Sequence, residues 1–74
     1  MNIKRAIKKE MKRAREKHPK QYKDIIHRVA TITEESGEIM QATLNYVYHS
    51  GDRDLIDQEV VQCLVTCQRF LERK

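Results

Sequence analysis

Residues 33–42 read Thr33-Glu34-Glu35-Ser36-Gly37-Glu38-Ile39-Met40-Gln41-Ala42, TEESGEIMQA. Three glutamates stand within five residues, beside a Ser-Gly pair. The apolar residues on either side nevertheless keep the three- and four-residue spacing of a helix. Like charges three or four apart on a helix repel by roughly 0.2–0.5 kcal/mol per exposed pair. Glycine inside a helix costs about 1 kcal/mol relative to alanine. A helical pattern that carries both penalties together is one that builds a site.

The pattern extends in both directions. Tyr22, Ile25, Ile26, Val29, Ile32, Ser36, Ile39, Met40, Thr43 and Val47 form one stripe, with Ile25, Ile32, Ile39 and Tyr46 in a row seven apart. The spacing predicts a long helix with a bundle seam, from near Pro19, a favoured first-turn residue, to about Tyr48. Upstream, Ile3, Ala6, Ile7, Met11 and Ala14 give a narrow stripe from Asn2 to Lys17, ended by His18-Pro19 because the residue before proline leaves helical space. Downstream, His49-Ser50-Gly51-Asp52 reads as a turn, with Gly51 closing one helix and Asp52 or Asp54 capping the next. The third helix, about Asp54 to Glu72, takes Ile56, Val60, Cys63, Leu64, Cys67, Phe70 and Leu71 as its main face, with Leu55, Val61 and Val65 on other sides. The organisation is one all-α domain over 1–74: a basic N-terminal helix within 1–18, a helix within 19–49 and a helix within 52–73.

The chain has 74 residues. A domain near this size buries only about 60% of the surface its unfolded chain exposes. There is no disulfide framework to help: Cys63 and Cys67 lie four apart in one apolar run and read as reduced, intracellular thiols that pack in a core. The third helix is apolar on more than one side, which three helices cannot cover. The expected fold is therefore three helices per chain, completed into a bundle by a second subunit, in a homo-oligomer (dimer or tetramer). No apolar run approaches the 18 residues of a membrane span, and no apolar signal core follows the basic N-terminus. The expectation is a soluble cytoplasmic protein with no membrane partner.

Charge is divided unevenly. Residues 1–20 hold nine Lys/Arg and two acids, a net of +7, while the other 54 residues carry −3, which gives the overall +4. Such a basic arm meets anions or pairs with the acidic half.

At 100° per residue, Glu35 and Glu38 flank the apolar stripe of the second helix one turn apart, with Glu34 and His27 further round. Glu59 borders the apolar face of the third helix, and Gln62 follows one turn later on the same side. Packing the two stripes together points Glu35, Glu38 and Glu59 into a shared space. Two unit charges about 5 Å apart repel by roughly 3 kcal/mol at an effective dielectric of 20. Protons or a hard divalent cation relieve that, and Mg²⁺ in particular takes one or two carboxylates and bridges to phosphates. The plainer reading is a solvated acidic face, since glutamate is a strong helix former.

Glu34-Glu35-Ser36-Gly37-Glu38-Ile39 followed by Glu59-Val60-Val61-Gln62 resembles the MazG-like all-α nucleoside triphosphate pyrophosphohydrolases, whose pattern is E-E-x-x-E, a spacer, then E-x-x-D. The resemblance spans about residues 25–72. It implies a helical, oligomeric protein that splits a nucleoside triphosphate into monophosphate and pyrophosphate with Mg²⁺, or Mn²⁺ in its place. It makes Glu35, Glu38 and Glu59 metal ligands, with Gln62 at the last ligand position. Glu34 becomes a further ligand or water-orienting base, so that Glu34, Glu35 and Glu38 form the catalytic set. One departure stands out: the family's final aspartate is Gln62 here, which offers an amide oxygen but no charge. The extra C-terminal helix of many members is missing too. Asp54 and Asp57 also fit the acidic spacing but lie away from the apolar stripe.

The triphosphate needs counter-charges, and Lys12, Arg13, Arg15, Lys20 and Lys23 are the candidates. Asn45 and Tyr46, beyond the acidic cluster, are the candidates for base contact, and His27 reads as a surface histidine. No Ser, Cys or His constellation suggests covalent catalysis. Two alternatives use the same residues. One is a catalytically inactive nucleotide-binding or regulatory oligomeric module. The other is a nucleic-acid-binding protein working through its basic helix; the absence of aromatics in that helix and the acidic body both argue against it.

Overall fold

The computed structural model describes residues 1–72, which form three helices and no strand: α1 (Ile3–Lys17), α2 (Ile25–Tyr48) and α3 (Arg53–Glu72). Asn2 caps α1, its side chain accepting the Arg5 N–H at 3.0 Å, and the His18 N–H closes the helix on the Ala14 carbonyl.

α2 starts six residues later than the proline at 19 suggests. Residues 18–24 form a linker, and the helix begins behind Asp24, whose Oδ1 accepts the Ile26 N–H at 2.9 Å. A side-chain oxygen satisfies one of the orphan amides of a first turn, which proline cannot do. At the other end, the Asn45 carbonyl accepts both the His49 and the Gly51 N–H, each at 2.9 Å. The left-handed residue of this turn is Ser50, with φ 56°, rather than Gly51. Glycine is required at 51 for closeness instead: a Cβ there would stand 3.0 Å from the Asn45 carbonyl carbon. Asp52 then caps α3, accepting the Asp54 N–H at 2.9 Å.

α3 is the central element: α1 and α2 each pack on it and not on each other. The buried apolar residues are Met11 of α1 with Val61 and Val65 of α3, Val65 being only 1% exposed. The expected main face of α3 is met in part: its Ile56, Cys63, Cys67 and Phe70 are half-buried. α2 packs on the Thr66 and Phe70 side of α3 and α1 on another, while Val60, Leu64 and Leu71 stay exposed. The stripe of α2 divides in the same manner. Ile32, Ile39 and Thr43 are half-buried, while Val29, Met40 and Val47 are exposed. Gly37 has open space around it, so it serves no close helix approach within the chain.

The C-terminal turn of α3 ties the chain together. Gln21 of the linker donates to the Arg69 carbonyl at 2.7 Å, and Arg28 to the Phe70 carbonyl at 2.9 Å. These satisfy carbonyls that a helix end leaves without partners, and Arg28 brings a cation to the negative pole while lying over the Phe70 ring. Arg69 donates to the Ala14 and His18 carbonyls at the end of α1, and Arg15 pairs with Glu72 at 2.8 Å. Among the described residues, no helix is long and apolar enough to cross a membrane.

Candidate functional site

Because α1 and α2 sit on different sides of α3 without touching, a cleft of about 480 Å³ opens between them. That is the size of a small-molecule pocket. One end is acidic, where α2 contributes Glu34, Glu35 and Glu38, α1 contributes Glu10, and α3 contributes Gln62. The other end is cationic, lined by Lys17, Lys20, Arg28 and Arg69 with His18 and His27. From Glu38 back to His27 is eleven residues of α2, a rise of about 16 Å.

Glu35 is half-buried and accepts the Thr66 hydroxyl at 2.5 Å. Burial pushes its carboxyl above the ordinary glutamate range, and the charges of Glu38 and Glu10 add to this; the Thr66 hydrogen bond and the Arg13 charge oppose it. Glu59 stands behind the cleft wall rather than in it. Its Oε2 is buried and has no hydrogen-bond partner. Burial raises its carboxyl as well, reinforced by Glu38, Glu35 and Glu10. Glu35 and Glu38 share the cleft, while Glu59, expected to point into the same space, feels their charge from outside it.

Glu10 is the acid that sequence reading passes over. It sits in a basic helix and looks like one half of an i,i+3 pair with Arg13, which it does form, at 2.9 Å to Nε and 2.6 Å to Nη2. Its signal is its position at the edge of the α1 apolar stripe, next to Ala14, where it turns toward α2. Of the cations expected at phosphate, Arg13 and Lys20 line the cleft. Lys12 and Arg15 face a separate shallow groove with Lys4 and Lys8, and Lys23 lines neither. Lys17, Arg28 and Arg69 stand in the cleft in their place. Asn45 and Tyr46 also fall outside it, because they lie in the last turns of α2 where Asn45 is engaged in the turn. The aromatic pair that does border the cleft is Tyr22 on His27, stacked with centroids 3.9 Å apart and planes within 5°. The linker folds Tyr22 back over the first turn of α2, which helical spacing alone does not reveal.

As the side chains stand, no three His, Cys, Asp or Glu residues among those described converge closely enough to hold a metal ion. The donors do suit a hard divalent cation in kind. They are all oxygens, the carboxylates are held in mutual repulsion, and one buried Glu59 oxygen lacks any partner. Cys63 and Cys67 are free and half-buried on α3. Burial, more than the neighbouring Cys67, pushes the Cys63 thiol up, so it is a poor nucleophile. Compared with protein-family models, with curated proteins and with solved structures, the chain gives no match in any of the three.

Proposed function

We propose that this chain is a divalent-cation-dependent nucleoside triphosphate pyrophosphohydrolase of MazG-like type, acting at the α–β phosphate bond as one unit of a homo-oligomer. One observation carries the reading: a single cleft holds Glu10, Glu34, Glu35 and Glu38, with Arg13 among them, toward one end and Lys17, Lys20, Arg28 and Arg69 toward the other. A metal-bound triphosphate presents the complementary order of charge. Mg²⁺ would be held by Glu35 and Glu38 with the Gln62 amide, joined by Glu59 if its side chain turns into the cleft, and when bound it would supply charge neutralisation and a more acidic water.

The chain's own residues do the rest. Lys17 and Lys20 bind phosphate oxygens, and Arg13, whose paired donors hold Glu10, adds its charge beside them. Arg28 keeps one nitrogen on the Phe70 carbonyl, which orients its guanidinium along the wall. Glu34 is exposed at the acidic end, where it can take the proton of an attacking water. Thr66 fixes the direction of the Glu35 carboxylate.

A second reading, nucleotide binding without turnover, is favoured by two observations. The last ligand position is neutral Gln62, and the carboxylates share a cleft rather than a point.

The test is pyrophosphate release from a panel of ribo- and deoxyribonucleoside triphosphates with Mg²⁺ or Mn²⁺, with Glu38→Ala alongside. The expected result is monophosphate plus pyrophosphate, with turnover reduced at least roughly 100-fold in the variant. Silence from folded protein sinks the hydrolase. A rise in Tm with nucleotide and Mg²⁺ would then leave the binding module.

A further inference from the structure

α1 presents two faces besides the one that packs on α3. Glu10, Arg13, Ala14 and Lys17 turn to the cleft. Lys8 and Lys12 each stand two residues from Glu10, about 160° round the helix. With Lys4, Arg5 and Lys9 they form an outer face, and all five are exposed. Lys4, Lys8 and Lys12 follow one another at every fourth residue, along about 12 Å of helix. These three, with Arg5, Lys9 and Arg15, line the shallow groove against Gln68 of α3. Two carboxylates come near. Glu16 lines the same groove, and Glu72 is taken by Arg15 at 2.8 Å. Among the described residues, none of the five outer cations forms an ion pair.

Like charges gathered on one side of a helix raise the local potential and draw a polyanion. Its class follows from what surrounds the row. A lipid surface takes a basic helix by its apolar side. Here α3 occupies that side, with Met11 only 7% exposed, and what stays open is Met1 and Ile3 at the start. A single strand is held by stacking its bases on aromatic rings. The aromatic residues Tyr22, Tyr46, Tyr48 and Phe70 all lie outside α1. A duplex needs neither feature. It carries one negative charge per about 1.7 Å of axis, so about seven phosphates fall within the length of the row. It is also stiff enough to meet a rigid helix without being moulded to it. The acidic body is no obstacle, because its cleft carboxylates open on the other side of α1.

We infer that the outer face of α1 docks on the phosphate backbone of double-stranded nucleic acid, through Lys4, Arg5, Lys8, Lys9 and Lys12. The contact reads no sequence. Lysine meets phosphate as a point charge, and phosphate contacts position a protein without distinguishing bases. The cleft stays open while the outer face is engaged, so this surface is separate from the hydrolase chemistry proposed above.

Fluorescence anisotropy of a labelled DNA duplex of about 20 base pairs, titrated with the protein from roughly 50 mM salt upward, tests it. Wild type is expected to bind, with log affinity falling against log salt at a slope near about −4, the mark of about four or five phosphates neutralised. Two duplexes of unrelated sequence should bind alike. Lys8→Gln should flatten the slope by about 1, and Lys8→Gln with Lys12→Gln by about 2, with binding weakened roughly tenfold. Lys23→Gln removes the same charge from the linker, outside the groove, and should leave slope and affinity as in wild type. All three side chains are exposed, so helicity by circular dichroism should hold in every variant. Folded wild type that leaves the duplex unbound overturns the inference. Equal losses in Lys8→Gln and Lys23→Gln overturn it too, by reducing the effect to net charge. So does tighter binding to the matching single strand, or retention on vesicles of anionic phospholipid in place of the duplex, either of which gives the face to a different polyanion. Anisotropy is blind to pyrophosphate release, so failure here leaves the hydrolase standing, and the converse holds.

Discussion

Glu59 concentrates the electrostatic tension of the molecule in one side chain. A buried ionised oxygen without a partner costs on the order of 1–3 kcal/mol, and Oε2 of Glu59 is in that position while Glu38, Glu35 and Glu10 press on the same charge. Glu59→Gln removes the charge and adds an amide that can donate toward Glu38. It should stabilise the fold at pH 7 by about 1 kcal/mol, a rise of roughly 4–8 °C in Tm. The pH dependence follows from the same cause. Glu35 and Glu59 both have raised carboxyls, so the fold prefers their acid forms. Their contribution to stability is fully present below the ordinary glutamate value of 4.5 and is lost as pH rises through their raised values. Urea midpoints should therefore fall as pH rises above 4.5, with a shallower fall in Glu59→Gln. At this scale the sequence was informative where helical spacing governs: Glu35 and Glu38, one turn apart on α2, both line the cleft, whereas Glu59 of α3 falls outside it because packing selects only part of each stripe. Glu10 was illegible as a member because its approach depends on where α1 docks, which no local pattern states.

Among the elements, the α2–α3 connection makes the sharpest local demand. Ser50 adopts φ 56°, a conformation that costs an ordinary residue about 1 kcal/mol and glycine almost nothing. Ser50→Gly should raise stability by roughly 0.5–1 kcal/mol. Gly51→Ala should lower it by about 1–3 kcal/mol, because the new methyl meets the Asn45 backbone at 3.0 Å and backbone cannot rotate away. Thermal melts of the two variants, moving in opposite directions, check the pair. The turn was visible in His49-Ser50-Gly51-Asp52, but the strained position and the crowded one were merged into a single glycine. The beginning of α2 lies beyond Pro19 for a related reason: proline is permitted in a first turn, yet Asp24 carries the oxygen that fills an amide there. The existence of three helices was legible throughout, since apolar spacing settles that. Which face of α3 is buried was not. That helix is apolar through much of its circumference, and only the placement of α1 and α2 selects Val61 and Val65.

Taken whole, the molecule is two attachments to one rod. α3 carries α2 along one side and α1 along another, and the two attached helices share no packing. The all-α class and the shortage of covering surface were both legible, because 74 residues with three amphipathic helices cannot hide every stripe. The direction in which the surplus faces was not, because it depends on which half of the α2 stripe α3 occupies. The independence of α1 also sets the order in which the structure comes apart. α2 and α3 form a hairpin closed by a short turn, whereas α1 is held by Met11, Arg15 and the Arg69 bonds at its end. Native-state hydrogen exchange should find α1 amides opening at least roughly tenfold faster than those around Val61 and Val65. Since α1 is also the wall that brings Glu10, Arg13 and Lys17 to the cleft, its detachment would behave as a door, and a ligand that bridges the two walls should slow its swing.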